Sequence, residues 1–309
     1  MPFVPEWFSA PTLARLEEEK RQRELLAVPS FDGLMAGEPD ALVESFADVP
    51  ELHDPIRGRV KGARAFQAFA SEMTSWLSRN SVSVEDVGHA ITERRGFEEV
   101  VLRFDTQNGR VDLPVAIVAD RRSDGRIEEL RLYFSSWPLD GRHVRRPPLL
   151  QPDPDLRESD VVGEYQRALA AGDVGAMVEV FESDGYTSEP AGGSHVHRGR
   201  DSLRSFYGLL FSNGGIPLEH CAAVDDGRSC ALEYNIVRWG KAELPPAAGM
   251  SVYMRGQSGK LAAARIYGHA APPLVLREQR PTHAGRDGWI AFGVSLQRIG
   301  RRRCARSPR

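Results

Sequence analysis

An acid followed by proline occurs twice in this chain, each time in the same company. In Phe181-Glu-Ser-Asp-Gly-Tyr-Thr-Ser-Glu189-Pro190 and in Phe46-Ala-Asp-Val-Pro-Glu-Leu-His-Asp54-Pro55 a phenylalanine stands eight residues before the acid. Proline confines the residue before it to extended backbone, which fixes the direction in which the carboxylate leaves the chain. A carboxylate so held is suited to general acid–base work. A second acid nearby would extend that chemistry, because paired carboxylates in an apolar cavity push their pKa values apart and divide the roles of acid and base. His195 and His197 alternate on a Gly-rich hairpin, a spacing that permits metal binding, but no third ligand accompanies them and no metal or other cofactor is expected.

The elements that must position these groups are themselves repeated. Arg131-Leu-Tyr133 follows Asp54 by 77 residues, and Arg265-Ile-Tyr267 follows Glu189 by 76. Both copies end in Pro-Leu, at Pro138-Leu139 and Pro273-Leu274. Two copies, each long enough to bury a core, imply tandem globular domains rather than a solenoid. The recurrence of Arg-x-Tyr points to shared packing more than to catalysis.

Within each copy the periodicity changes from helical to extended. Residues 11 to 27 read as a charged helix that precedes the repeats. In the first copy, helices are expected over Asp40 to Phe46 and Gly62 to Leu77, the latter with Ala65, Phe66, Phe69, Met73 and Trp76 at helical spacing. Strands follow at Val82–Ala90, Glu98–Asp105, Val111–Ala119 and Arg126–Phe134. The second copy opens on a helix capped by Ser159 or Asp160, which Gly172 ends. A helix from Asp173 to Phe181, a helix from Arg200 to Leu210 and strands near 217–224, 229–239, 250–255 and 260–268 complete it. Helices first and an antiparallel meander second is an α+β pattern: two cone-shaped domains in tandem, each a curved antiparallel sheet closing over helices with a pocket between. The expected boundaries are an N-terminal extension over 1–29, a first domain over 30–146, a stiff Pro-rich linker over 147–158, a second domain over 159–275 and a basic, disordered tail over 276–309.

Composition bounds the function. Of 309 residues, 41% are hydrophobic and 27% charged, which are globular values. The net charge of −3 points to neither nucleic acid nor membrane. Nine arginines against two acids from Arg277 onward (+7) leave the rest at −10. Three scattered cysteines suit a reducing compartment, no apolar run approaches a membrane span, and the start lacks a secretory pattern, so a cytoplasmic location is expected.

The stretch Val161-Val-Gly-Glu-Tyr165-Gln-Arg-Ala-Leu-Ala-Ala-Gly172-Asp173, then Phe181, Glu189-Pro190, Gly199 and Leu203-Arg-Ser-Phe206-Tyr207, resembles the ketosteroid isomerases. These belong to the nuclear transport factor 2-like superfamily, with its cystatin-like cone fold and its SnoaL-type polyketide cyclases. The resemblance implies a small apolar substrate bound by Phe206 and its neighbours, Glu189 as catalytic base and Tyr165 as donor to an enolate oxygen. It puts Met250, which donates no hydrogen bond, at the position of the family's second donor. Asp54 keeps the acid in the first copy, where Ser30 takes the tyrosine position. Aligning Trp239 to the family's strand end sends Glu233 and Asn235 into the pocket and Tyr234, Ile236 and Arg238 outward. Glu219 falls where related polyether epoxide hydrolases hold a second acid. The implied chemistry is isomerisation, aldol-type cyclisation or dehydration. The alternatives are epoxide opening by Glu189 and Glu219, or a non-catalytic ligand-binding or assembly module. The same register puts Arg131, Tyr133, Arg265 and Tyr267 on outer sheet faces, where the two domains are expected to pair, Arg stacked on Tyr, as an intramolecular pseudo-dimer.

Overall fold

The structure is a computed structural model and describes residues 39–106, 109–140, 145–193 and 195–268. The expected helix over 11–27, Ser30 and the basic segment over 276–309 lie outside the described residues. The first unit comprises α1 (Pro39–Glu44), β1 (Glu51–Asp54), β2 (Gly58–Lys61), α2 (Ala63–Arg79), β3 (Ser83–Ile91), β4 (Arg95–Thr106), β5 (Gly109–Arg121), β6 (Ile127–Tyr133) and α3 (Trp137–Asp140). The second comprises α4 (Val161–Ala171), α5 (Val174–Glu179), β7 (Phe181–Ser188), β8 (Val196–Arg198), α6 (Arg200–Leu210), β9 (Leu218–Asp225), β10 (Ser229–Trp239), β11 (Ala242–Arg255) and β12 (Leu261–Tyr267).

Each unit holds one six-stranded sheet, ordered β2-β1-β6-β5-β4-β3 and β8-β7-β12-β11-β10-β9. The sheets are mixed, a correction to the antiparallel expectation: β1 runs parallel to β6, and β7 parallel to β12. The helices that separate these strands in sequence allow a parallel return that a hairpin cannot make. The element from Asp173 stops at Glu179, and Phe181 opens β7 instead of closing the helix.

Local chemistry sets the entry to the second unit. Asp160 caps α4 by accepting from Val162 N at 2.9 Å, and Asp173 caps α5 by accepting from Ala176 N at 3.0 Å. Gly172 between them sits at φ 70°, and a Cβ there would meet Gly215 N at 2.7 Å.

The ladder registers superpose the two units without reference to side chains. His53 pairs with Arg131 and Ser188 with Arg265, so Asp54 and Glu189 are equivalent. Glu99 pairs with Ala116 and Glu233 with Met250, so those pairs are equivalent too.

The outer sheet faces meet. Phe97, Ala116, Val118 and Tyr133 of the first unit pack with Val224, Ala231, Met250, Val252 and Tyr267 of the second in one buried cluster. Two matched ionic groups cross it. Glu233 accepts from Arg131 Nε at 2.6 Å, Arg131 Nη2 at 2.9 Å and Tyr133 OH at 2.7 Å. Glu99 accepts from Arg265 Nε at 2.8 Å, Arg265 Nη2 at 2.5 Å and Tyr267 OH at 2.7 Å. Each Arg and Tyr therefore converges on a glutamate of the other unit, where the sequence suggested stacking of one on the other. Buried charges need such partners, since an unpaired one is costly. The Pro-rich segment runs along the second unit, where Leu150 O accepts from Asn235 Nδ2 at 3.1 Å and Asp153 N donates to His220 O at 2.8 Å.

Candidate active site

The inner face of the second sheet and helices α4 and α6 enclose a cavity of about 80 Å³. At roughly 15 Å³ per water that is room for a few waters or a small organic group. Its walls are mostly apolar, from Leu169, Phe206, Leu210, Ile216, Leu218, Ile236, Trp239 and Ile266. The polar groups that reach it are Tyr165, Tyr207, Thr187, Tyr234, Ser251, Tyr253, His195 and Glu189. Among the described residues, neither lysine nor arginine lines it. A few polar groups in an apolar cleft is the usual composition of a small-molecule site.

Glu189 follows directly after β7, before Pro190. Its carboxylate accepts from, or shares a proton with, His197 Nε2 across 2.8 Å. The turn between β7 and β8 closes with Glu189 N to His195 O at 2.9 Å and Gly192 N to Glu189 O at 3.0 Å. Both side chains are partly open, 23% for Glu189 and 26% for His197. His197 lies flat on Phe206, ring centroids 4.1 Å apart and planes 16° apart. Deeper in, Tyr165 OH and Tyr207 OH share a hydrogen bond of 3.0 Å. One O–H suffices for that bond, which leaves the other to donate elsewhere. Burial pushes the Tyr165 hydroxyl well above the ordinary tyrosine value and Tyr207 up to about 12, so both stay protonated at neutral pH. Tyr234 OH bonds to Ser251 Oγ at 3.0 Å, and Tyr253 OH accepts from Gln166 Nε2 at 2.8 Å.

The structure gathers Glu189, Tyr165 and Phe206 around the cavity. It does not bring the other expected residues there. Glu233 lies on the opposite face, bound by Arg131 and Tyr133. Asn235 also points away and bonds to Leu150 O and Cys221 Sγ. Met250, fully buried, packs in the cluster between the units. The physical reason is one irregularity. The β10–β11 ladder shifts register between Ile236 and Arg238, so Trp239 and Ile236 share the inner face although three positions apart. Counting back from Trp239 in steps of two therefore lands on the wrong face. Tyr234, Ile236 and Ser251 are the inward residues, and a serine hydroxyl stands one step from Met250. Glu219, opposite Asn235 in the ladder, is exposed and outside the cavity.

Asp54, though buried, is a turn residue. Its Oδ1 accepts from Ile56 N at 2.8 Å and Arg57 N at 2.7 Å. Burial outweighs these bonds and raises its carboxyl above the usual range. The positions equivalent to Thr187, Tyr234, Ser251 and Tyr253 are Leu52, Val100, Ile117 and Ala119, all in the first unit's core. Counting from the helix starts at Ala63 and Arg200, Ala70 replaces Tyr207. Aromatic rings pack in this core: Phe46 meets Phe66 at 5.0 Å and Trp76 meets Phe104 at 5.1 Å.

Sequence reasoning missed Tyr207, Ser251 and the partner role of His197. Tyr207 was legible from its spacing of four from buried Leu203 on one helix face. Elsewhere among the described residues, two trios have ligating atoms within 4.8 Å of one another, Glu51–His53–Glu129 and Glu158–Asp225–Cys230. In both, arginines already occupy the carboxylates: Arg59 on Glu51, Arg131 on Glu129 and Arg255 on Asp225.

No family model and no curated protein matches the chain. Solved structures do. A candidate polyketide cyclase from Sinorhizobium meliloti is 17% identical, covers 35% of this chain and 94% of its own, and has a TM-score of 0.30. The epoxide hydrolase/cyclase-like enzyme SalBIII, of pyran ring formation in the polyether salinomycin, is 19% identical over 37% of this chain and 90% of its own, TM-score 0.30. A cystatin-fold protein from Novosphingobium aromaticivorans is 19% identical over 34% and 93%, TM-score 0.30. Among the described residues, no helix is long and apolar enough to cross a membrane. In fold, the chain is a tandem of two α+β units, each built on one six-stranded mixed sheet.

Proposed function

We propose that the second unit binds a small, mostly apolar molecule and catalyses proton abstraction beside a carbonyl, as in isomerisation, aldol-type cyclisation or dehydration. The observation that carries this reading is the meeting of Glu189 with the Tyr165–Tyr207 hydroxyl pair in one apolar cavity. Glu189 takes the proton as base. A tyrosine hydroxyl, held protonated by burial, donates to the oxygen on which charge develops. The first unit, apolar at the equivalent inner positions, acts as the partner that covers the second unit's sheet. Epoxide opening by paired carboxylates is less well supported, because Glu219 lies outside the cavity and, among the described residues, Glu189 is the carboxylate that lines it. Glu189→Gln should lower turnover of any substrate found by on the order of 10²-fold or more while leaving the fold intact. An unchanged rate would refute the assignment.

A further inference from the structure

We infer that His197 is the positioning residue of Glu189: it fixes one carboxylate oxygen so that the other faces the cavity, and its own protonation is transmitted to Glu189. The inference rests on the reading of Glu189 as the working carboxylate.

Three observations carry it. His197 Nε2 lies 2.8 Å from Glu189 Oε1, so an Nε2–H donated there satisfies that oxygen and leaves Oε2 free. The ring cannot swing away easily. It is stacked at 4.1 Å on Phe206, itself a cavity wall, and β8 pairs with β7 through Thr187 and His197. A carboxylate held by a clamped donor keeps one orientation, as catalysis requires. The third observation is internal. Thr187 is equivalent to Leu52, and Leu52 pairs with Val60, so Val60 stands where His197 does. The first unit lacks the histidine, and its Asp54 turns Oδ1 to backbone amides instead. Within one chain, the unit whose equivalent acid turns to backbone amides carries a valine where the other carries His197.

Other charged groups near the pair are already engaged. On the same hairpin, His195 Nδ1 lies 3.1 Å from Gly192 O, and Arg198 sits over Tyr186 and donates to Asp184 O. Helix α6 presents Tyr207, bonded to Tyr165. Strand β5 of the first unit brings Asp112, paired with Arg103 and Arg110. None of these competes for the 2.8 Å contact.

The test is a titration of full-length protein labelled with ¹³C at glutamate carboxyls, with the Glu189 resonance assigned by its loss in Glu189→Gln. The expected result is a Glu189 resonance that moves in two steps, one sharing the midpoint of the His197 ring resonances. His197→Gln, which keeps a donor that does not titrate, should abolish that step and leave the other. A Glu189 resonance without a step at the His197 midpoint, or a step that survives in His197→Gln, would overturn the inference. The wild-type titration decides alone if His197→Gln does not fold. A fully active Glu189→Gln would instead remove the catalytic reading and leave the coupled titration standing, so the two failures are distinguishable.

Discussion

Glu99 gives the sharpest test of how the two units hold each other. It is fully buried and accepts three hydrogen bonds from the second unit, two from Arg265 and one from Tyr267. Glu99→Leu keeps the volume and removes every acceptor. Arg265 is then left inside with only Tyr186 OH, at 3.3 Å. Breaking a buried pair from one side costs about 3–5 kcal/mol, and an orphaned hydroxyl adds to it less than additively. For a urea slope of about 3 kcal/mol per M, the midpoint should fall by roughly 1–1.7 M. Glu233→Leu should cost less, near 3 kcal/mol or below, because Arg131 Nη1 retains Asp120 at 2.7 Å and Glu129 at 2.8 Å. Glu99→Leu with Arg265→Met removes both charges and should recover most of the loss. Urea unfolding followed by tryptophan fluorescence reads all three. A single-variant cost below about 1 kcal/mol, or a double variant as unstable as the sum of its parts, would refute the reasoning.

Two further outcomes follow from burial. Tyr133, Tyr165, Tyr207, Tyr234, Tyr253 and Tyr267 all have hydroxyls raised by burial, Tyr207 and Tyr234 to about 12. Unfolded, they ionise near pH 10, so above that the native state binds more protons and stability falls with pH by up to about 1.4 kcal/mol per unit for each. Phenolate absorbance should therefore rise in one cooperative step with unfolding between pH 10 and 12, and six independent titrations in folded protein would contradict this. Asp54→Asn keeps the Oδ1 acceptor for Ile56 N and Arg57 N and removes a charge that burial disfavours. A raised folded pKa means its stabilising contribution is present below the unfolded value and lost as pH rises. The variant should then gain on wild type in thermal melts between pH 4 and 7, and a steady loss would show that the carboxylate charge is needed.

The repeat, the order of helices and strands, and Glu189-Pro190 were legible in the sequence because each rests on local chemistry: a glycine at φ 70° after α4, aspartate caps, proline after an acid. What failed depended on non-local pairing. The parallel β1–β6 and β7–β12 contacts join strands far apart in sequence and leave no local mark. Strand β11 runs through Pro245 and Pro246, which look like a break but fall in the stretch where the ladder shifts register and asks no donor of them. That same shift reversed the faces of Glu233 and Asn235. Arg131 and Arg265 read correctly as surface-directed on their own sheets, but their partners, Glu233 and Glu99, lie 102 and 166 residues away.

The central claim is that the second unit's cavity is the working site, with Glu189 opposite a tyrosine donor pair. The most direct measurement is diffraction from crystals of the full chain soaked with acetone, a neutral ketone small enough for the cavity. Density is expected in the second unit alone, with the ketone oxygen within about 3 Å of the Tyr165 or Tyr207 hydroxyl and a Glu189 oxygen beside the adjacent carbon. A ketone bound in the first unit, or one whose oxygen turns away from both tyrosines, would contradict it.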